Sequence, residues 1–323
     1  MDSLVRRIGV RKGTPNSEHV AAGLTSRWLG HDDVPMPALD ARVRRAAQTW
    51  DLIVGDALAG GSRSAVFAAR DRAGRELVLK LPATQTGVDD LTGAEAAALS
   101  TWAPTRAAVT LIDATPDALL LARARPGVAW PWSPPGPLDN VVGLAAELLG
   151  SLWATPLSGY MFTTLADVYP QDEQVAREDA AVEQRQRADP DRGSPGLQRL
   201  PIAAVAAEQL IATCTEAKLL HGDFITKNLI SDATSPVGWI ALDPLPMSGD
   251  PAAEVAAFAA YHPTELILPI AEALAKALRL DSRRVLRWAA IWTVHQAAQA
   301  WRDDQSQLEQ LITSTTLNEL LTA

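Results

Sequence analysis

Short apolar runs broken by turn residues occupy the first part of the chain, and longer stretches with a helical apolar period occupy the rest. Leu52-Ile53-Val54, Ala65 to Ala69 and Leu77 to Leu81 are separated by Ala59-Gly60-Gly61-Ser62-Arg63-Ser64 and by Asp71-Arg72-Ala73-Gly74. Runs of this length bounded by Gly, Ser and Asp predict strands, and turns this short join antiparallel neighbours. Two further strands are expected at 108–112 and 118–122. Between Lys80 and these, residues 89–102 set Leu91, Ala94, Ala98, Leu99 and Trp102 on one helical face. Upstream, 21–28 and 37–50 read as helices leading into the sheet, behind a polar tail at 1–18.

Beyond residue 125 the periodicity is mainly helical. The tract from Trp130 to Pro137 carries too many prolines for regular structure. Asp139 then offers a cap for a helix at 141–153. Residues 165–193, rich in Asp, Glu, Gln and Arg, predict an exposed helix followed by a mobile loop. Pro201 fits the first turn of a helix running to 213, and Asp250 fits the cap of one starting at 251. Helices are also expected at 264–280, interrupted at Pro269, and at 282–301. In the last, Val285, Trp288, Ala289, Trp292 and Gln296 share a face and read as core, with His295 structural. Strands first and helices after describe an α+β chain, with a lead-in at 1–45, a sheet domain at 46–125 and a helical domain at 126–323.

At 323 residues, 47% of them hydrophobic, the chain has the material for a large core. A net charge of −9 argues against nucleic acid and mildly favours a cationic small partner, although acidic balance is common among soluble proteins. Cys214 is the single cysteine, which excludes an internal disulfide and a cysteine zinc site. Arg6 and Arg7 precede no apolar signal-peptide core, and no apolar run approaches the roughly 18 residues that span a bilayer. We therefore expect a cytoplasmic monomer without membrane contact.

The chemistry concentrates in His221-Gly222-Asp223-Phe224-Ile225-Thr226-Lys227-Asn228-Leu229-Ile230 and in Trp239-Ile240-Ala241-Leu242-Asp243-Pro244. An apolar run delivers Asp223 and, five places on, Asn228; a hairpin then returns to Asp243 at the end of another apolar strand. Phosphoryl transfer asks for an acid–base group beside the attacking hydroxyl and for oxygen ligands that hold Mg²⁺ against a triphosphate. Asp223 can serve the first need, and Asn228 with Asp243 the second. Lys80 is a lysine inside an apolar strand, and Glu95 lies on the buried side of the 89–102 helix. A carboxylate there is costly unless paired, and Lys80 is its natural partner. The Gly60-Gly61-Ser62 turn with Ser64 could lay backbone amides over phosphates, though any hairpin can contain such a turn.

These motifs resemble the H-x-D-x-x-x-x-N loop that protein kinases share with aminoglycoside phosphotransferases. Gly222 stands where protein kinases carry Arg, and Asp243-Pro244 replaces Asp-Phe-Gly, which points to the antibiotic phosphotransferase branch. Leu242-Asp243-Pro244 running on to Gly249-Asp250-Pro251-Ala252-Ala253-Glu254-Val255 looks most like the streptomycin 6-phosphotransferase and hydroxyurea phosphotransferase group.

The resemblance implies a bilobal protein-kinase-like fold and an ATP- or GTP-dependent, Mg²⁺-dependent transfer to a hydroxyl of a small antibiotic. Asp223, Asn228 and Asp243 become catalytic, the last two as metal ligands. Gly60, Gly61, Ser62, Ser64, Lys80 and Glu95 hold the phosphates, and the backbone at Arg123 and Ala124 meets adenine. Asp172, Glu173, Glu178, Asp179 and Glu254 become candidate contacts for a cationic acceptor, their alternative being a solvated face. His221 and Asp250 brace the catalytic loop. Lys227 departs from relatives, which often carry a small residue or histidine before the Asn; we read it as pointing to solvent rather than helping to neutralise phosphate. A viomycin-type peptide, a macrolide, hydroxyurea or a metabolic alcohol remain alternative acceptors. A silent nucleotide-binding module is disfavoured, because Lys80, Glu95, Asp223, Asn228 and Asp243 are all present.

Overall fold

The computed structural model describes residues 36–58, 64–82, 91–131, 138–157, 159–186, 194–299 and 302–323. The expected helix at 21–28 and the Gly60-Gly61-Ser62 turn lie outside them. After helix α1 (Met36–Trp50), strands β1 (Ile53–Ala57), β2 (Ser64–Arg70), β3 (Glu76–Pro82), β4 (Leu111–Thr115) and β5 (Ala118–Ala122) form an antiparallel sheet in the order β1-β2-β3-β5-β4. Helix α2 (Leu91–Trp102) lies between β3 and β4 in sequence. On β3 the alternation sends Leu77, Leu79 and Leu81 into a core shared with Phe67 and with Val43 and Ala46 of α1. Lys80 therefore points to the opposite face, and its backbone sits opposite Val66 of β2 and Leu119 of β5.

The larger part is helical, built from α3 (Leu138–Trp153), α4 (Leu165–Gln186), α5 (Pro195–Ala212), α6 (Pro251–Ala260), α7 (Ile267–Ala277), α8 (Ser282–Gln299), α9 (Gln305–Ile312) and α10 (Thr315–Thr322). Helix α8 is its central post: Val285, Trp288, Ala289, Trp292 and neighbouring positions are buried. Small residues let helices approach it closely. A Cβ on Gly196 of α5 would stand 2.4 Å from the Ala298 nitrogen, so the α5–α8 crossing requires glycine there. Two small antiparallel sheets complete the fold: β6 (Pro126–Ala129) with β8 (Leu229–Asp232) and β9 (Trp239–Ala241), and β7 (Lys218–Leu220) with β10 (Met247–Gly249). Among the described residues no helix is long and apolar enough to cross a membrane.

Several expectations shift. The strand expected at 108–112 begins at Leu111, because 107–109 bond to Ala241 instead: Val109 N–H donates to Ala241 O (2.9 Å), and Ala241 N–H to Ala107 O (2.8 Å). Helix α3 begins at Leu138, which puts Asp139 inside its first turn rather than at a cap. Pro201 is interior to α5. The earlier Ser194-Pro195 pair starts that helix, with Ser194 Oγ accepting from Leu197 N–H at 3.4 Å. Pro269 lies in the first turn of α7, where its missing N–H costs no helical bond, so nothing is interrupted. Helix α4 is not a solvated rod: Leu165, Tyr169, Asp172, Ala176 and Ala180 are buried along one side.

Candidate active site

The loop 221–228 is positioned by its two neighbours. Strand β7 ends at Leu220, and Gly222 then turns the chain with φ +77, where a Cβ would stand 1.9 Å from Leu245 O. No side chain fits there, which accounts for glycine at this position of the motif. Leu245 N–H donates to His221 O (2.8 Å), and Leu242 N–H to Asn228 O (2.8 Å). The segment after β9 thus clamps the loop at both ends. It carries Asp243, itself in the left-handed region at φ 61, a conformation retained where the surroundings over-determine it.

Within the loop, Asn228 closes the 3₁₀ turn begun by Thr226. Its Nδ2 donates to the Asp223 backbone oxygen (2.9 Å) and to Asp223 Oδ2 (2.7 Å). This fixes the Asp223 rotamer and aims the Asn228 carbonyl oxygen the other way. Asp223 is 3% exposed. Lys227 is not solvent-directed as expected: its Nζ stands 3.8 Å from Asp223 Oδ2.

Lys80 reaches both parts of the molecule. Its ammonium donates to Glu95 Oε1 and Oε2 at 2.7 and 2.6 Å and also pairs with Asp243 Oδ1. Burial pulls the Lys80 pKa down, but the charges of Asp243 and Glu95 outweigh it and hold it above the ordinary lysine value. Lys80 thus joins Glu95 and Asp243 across 163 positions of sequence, and the backbone bond from Leu242, next to Asp243, to Asn228 O sets that group beside the Asp223–Asn228 pair. Ser64, at the start of β2, lies opposite Pro82 at the end of β3. Ala124 is buried and Arg123 half-buried just past β5.

His221 bonds to the loop, its Nδ1 accepting from Asp223 N–H at 3.4 Å, while Asp250 bonds elsewhere. His221 is completely buried, stacks on Trp102 (ring centroids 6.0 Å apart), and meets Phe224 edge-on. Burial lowers its pKa to about 4, so it is neutral packing at physiological pH. Asp250 caps α6 through Ala252 N–H (3.0 Å), and its Oδ2 accepts from Arg284 Nε and Trp288 Nε1, both at 2.7 Å; its bonds serve α6 and α8. Glu254 also reaches the loop. Oε1 accepts from Gly222 N–H (2.8 Å) and Oε2 from Trp153 Nε1 (2.9 Å), in a residue 2% exposed. Burial pushes its pKa up to about 7, against the pull of those donors. The sequence carried a usable signal, since Glu254 interrupts an alanine-rich apolar helix much as Glu95 does.

On α4, Asp172 is buried, Glu173 is ion-paired with Arg177, Glu178 is exposed and accepts from Gln174 (2.9 Å), and Asp179 is half-buried. Tyr261, at the end of α6, is buried, and its phenol is raised by burial and by the charge of Asp223.

Comparison with known proteins places this geometry. The sequence model of the aminoglycoside/hydroxyurea antibiotic resistance kinases matches residues 49–305. The chain belongs to that family. This antibiotic resistance kinase is a phosphotransferase acting on hydroxyl groups. No curated protein matches it in sequence. Among solved structures, a choline/ethanolamine kinase family protein from Mesorhizobium loti superposes with a TM-score of 0.56 at 16% identity, covering 88% of this chain and 97% of that one. An amicoumacin kinase in complex with AMP-PNP, Ca²⁺ and its antibiotic gives 0.54 at 14%, covering 88% and 93%. A putative fructosamine-3-kinase from Thermobifida fusca gives 0.52 at 14%, covering 83% and 97%. The kinase shares their protein-kinase-like fold, a small antiparallel sheet set on a larger helical part.

Proposed function

We propose that the kinase transfers the γ-phosphoryl group of ATP to a hydroxyl of a cationic, streptomycin-type aminoglycoside and so inactivates it. The observation that carries this reading is the Lys80 ammonium, bonded to Glu95 and Asp243, next to the Asp223–Asn228 clamp. Residues 46–125 form the nucleotide lobe and 126–323 the catalytic and acceptor lobe, with adenine at the backbone of Arg123 and Ala124.

Asp223 receives the proton of the acceptor hydroxyl as its oxygen bonds to phosphorus and the bond to ADP breaks. Asn228 holds the Asp223 carboxylate in place, so little reorganisation is needed when the proton arrives. Lys80 contacts the α- and β-phosphates and is steadied by Glu95.

Asn228 Oδ1 and Asp243 are two hard oxygen donors, a set that suits Mg²⁺, which binds one or two protein oxygens and fills its shell with water and phosphate. When bound, that ion neutralises the phosphate charge that builds during transfer. The AMP-PNP and Ca²⁺ of the amicoumacin kinase complex are in keeping with a nucleotide and a divalent cation. Support for a cationic acceptor is the net charge of −9 and the α4 carboxylates Asp172, Glu173, Glu178 and Asp179.

ADP release over streptomycin, viomycin, a macrolide and hydroxyurea tests the acceptor. We expect turnover with streptomycin, and a preference for another compound overturns the acceptor assignment alone. Asp223→Asn is expected to lower turnover at least about 10³-fold with nucleotide binding retained. Undiminished turnover in that variant sinks the catalytic assignment.

A further inference from the structure

The transfer chemistry above leaves Lys227 without work, and the geometry supplies some. The turn that carries it is pinned by Asn228 N–H donating to Ile225 O (2.9 Å) and Ile225 N–H to Asp223 O (3.0 Å). The Lys227 side chain is 30% exposed, while that of Asp223, 3.8 Å away, is 1% exposed. The lysine thus covers the solvent edge of the residue that receives the proton. At 3.8 Å it is an ion pair without a direct hydrogen bond, and Asn228 already fills the short position on Oδ2. Its ammonium is accordingly free to turn on a flexible four-carbon stem.

Charge says what it would turn to. Lys80 pairs with Glu95 and Asp243, and Lys227 with Asp223, so three carboxylates stand against two ammonium groups. Lys80 is shared between two of those carboxylates, so a triphosphate enters a site already short of positive charge. A charged phosphoryl group arriving beside Asp223 competes with it for the Lys227 ammonium, which is held there by charge alone. During transfer the charge of that group is spread over its three equatorial oxygens.

Resting on the function proposed above, we infer that Lys227 is a catalytic residue: its ammonium passes from Asp223 to the oxygens of the phosphoryl group in flight. The acceptor oxygen–phosphorus bond forms as the bond from phosphorus to the β-phosphate oxygen breaks. The electron pair of that bond leaves with ADP, the acceptor proton goes to Asp223, and Lys227 keeps its protons throughout.

The test compares wild type, Lys227→Met and Lys227→Arg in two measurements, acceptor-dependent turnover and the binding of MgADP with and without aluminium fluoride, a mimic of the transferring group. Lys227→Met is expected to lose at least about 10-fold of the affinity gained on adding fluoride, and a similar factor in kcat, with MgADP binding within about threefold of wild type. Lys227→Arg should restore most of both. A lysine that merely holds Asp223 in place predicts slower turnover with the fluoride gain intact, and that result overturns the inference. So does a wild type without any fluoride gain, or a Lys227→Met enzyme with unchanged turnover. Asp223→Asn separates the two levels. If it is inactive while Lys227→Met is normal, the role of Lys227 falls alone; if both are normal, the transfer reading falls with it.

Discussion

Glu254→Gln keeps the size of a side chain that holds the catalytic loop from below but removes its titration. In the folded protein the carboxyl sits near pKa 7 because it is buried, against an ordinary value of 4.5. A pKa raised on folding means the native state binds the proton more tightly. The stability contributed is complete below about pH 4.5 and is lost as pH rises through 7. One pKa unit corresponds to about 1.4 kcal/mol, and integration from pH 5.5 to 8 gives a loss of about 2 kcal/mol in wild type. The glutamine has no such term. It also turns an NH₂ toward either Gly222 N–H or the Trp153 indole, at a cost of about 1–3 kcal/mol at every pH.

Urea unfolding of both proteins from pH 5.5 to 8 isolates the effect, since all other titrating groups are common to the pair and cancel in the difference. The variant should be less stable throughout, and its deficit about 2 kcal/mol larger at pH 5.5 than at pH 8. A deficit constant to within about 0.5 kcal/mol over that range refutes the reasoning, because Glu254 would then titrate as it does in the unfolded chain.

Two further outcomes follow from the same structure. His221, His262 and His295 are buried with pKa values lowered by burial to about 4, 4 and 3, so the unfolded chain gains protons first; this removes about 4 kcal/mol between pH 8 and 5.5, of which Glu254 offsets about 2, and the net fall of about 2 kcal/mol should show in urea unfolding. Gly222→Ala forces a Cβ against Leu245 O at positive φ and should lower stability by more than about 2 kcal/mol or abolish soluble expression; near-native stability would mean the loop can shift away from the β10 segment.

What the sequence disclosed were features that announce themselves locally. Lys80 inside an apolar strand and Glu95 on a buried helical face each demanded a partner, and each proved to be the other's. The hairpin from Asn228 to Asp243 was legible because short apolar runs flank a turn, and β8 pairs with β9 there. Long-range contacts were not. Glu254 meets Trp153 across 101 positions, and Arg284 meets Asp250 across 34, so nothing near either residue in the chain named its partner. Asp250, expected to brace the loop, ties α6 to α8, and Glu254, expected to face an acceptor, ties α6 to the loop. Lys227 was misjudged for a related reason. An i,i+4 pair normally implies a helix, and here a 3₁₀ turn brings the two charges together.

The shared grip of Glu95 and Asp243 on Lys80 makes the two ligands of the site thermodynamic allies. Asp243 cannot give its full charge both to the lysine and to a divalent cation, so a cation that engages it loosens the lysine and readies it for phosphate. A phosphate that draws Lys80 away equally leaves Asp243 open to the cation. Linkage requires these two effects to be of one magnitude. Nucleotide and metal should therefore raise each other's affinity by a common factor, and a single ion pair spanning the cleft is sufficient to set it.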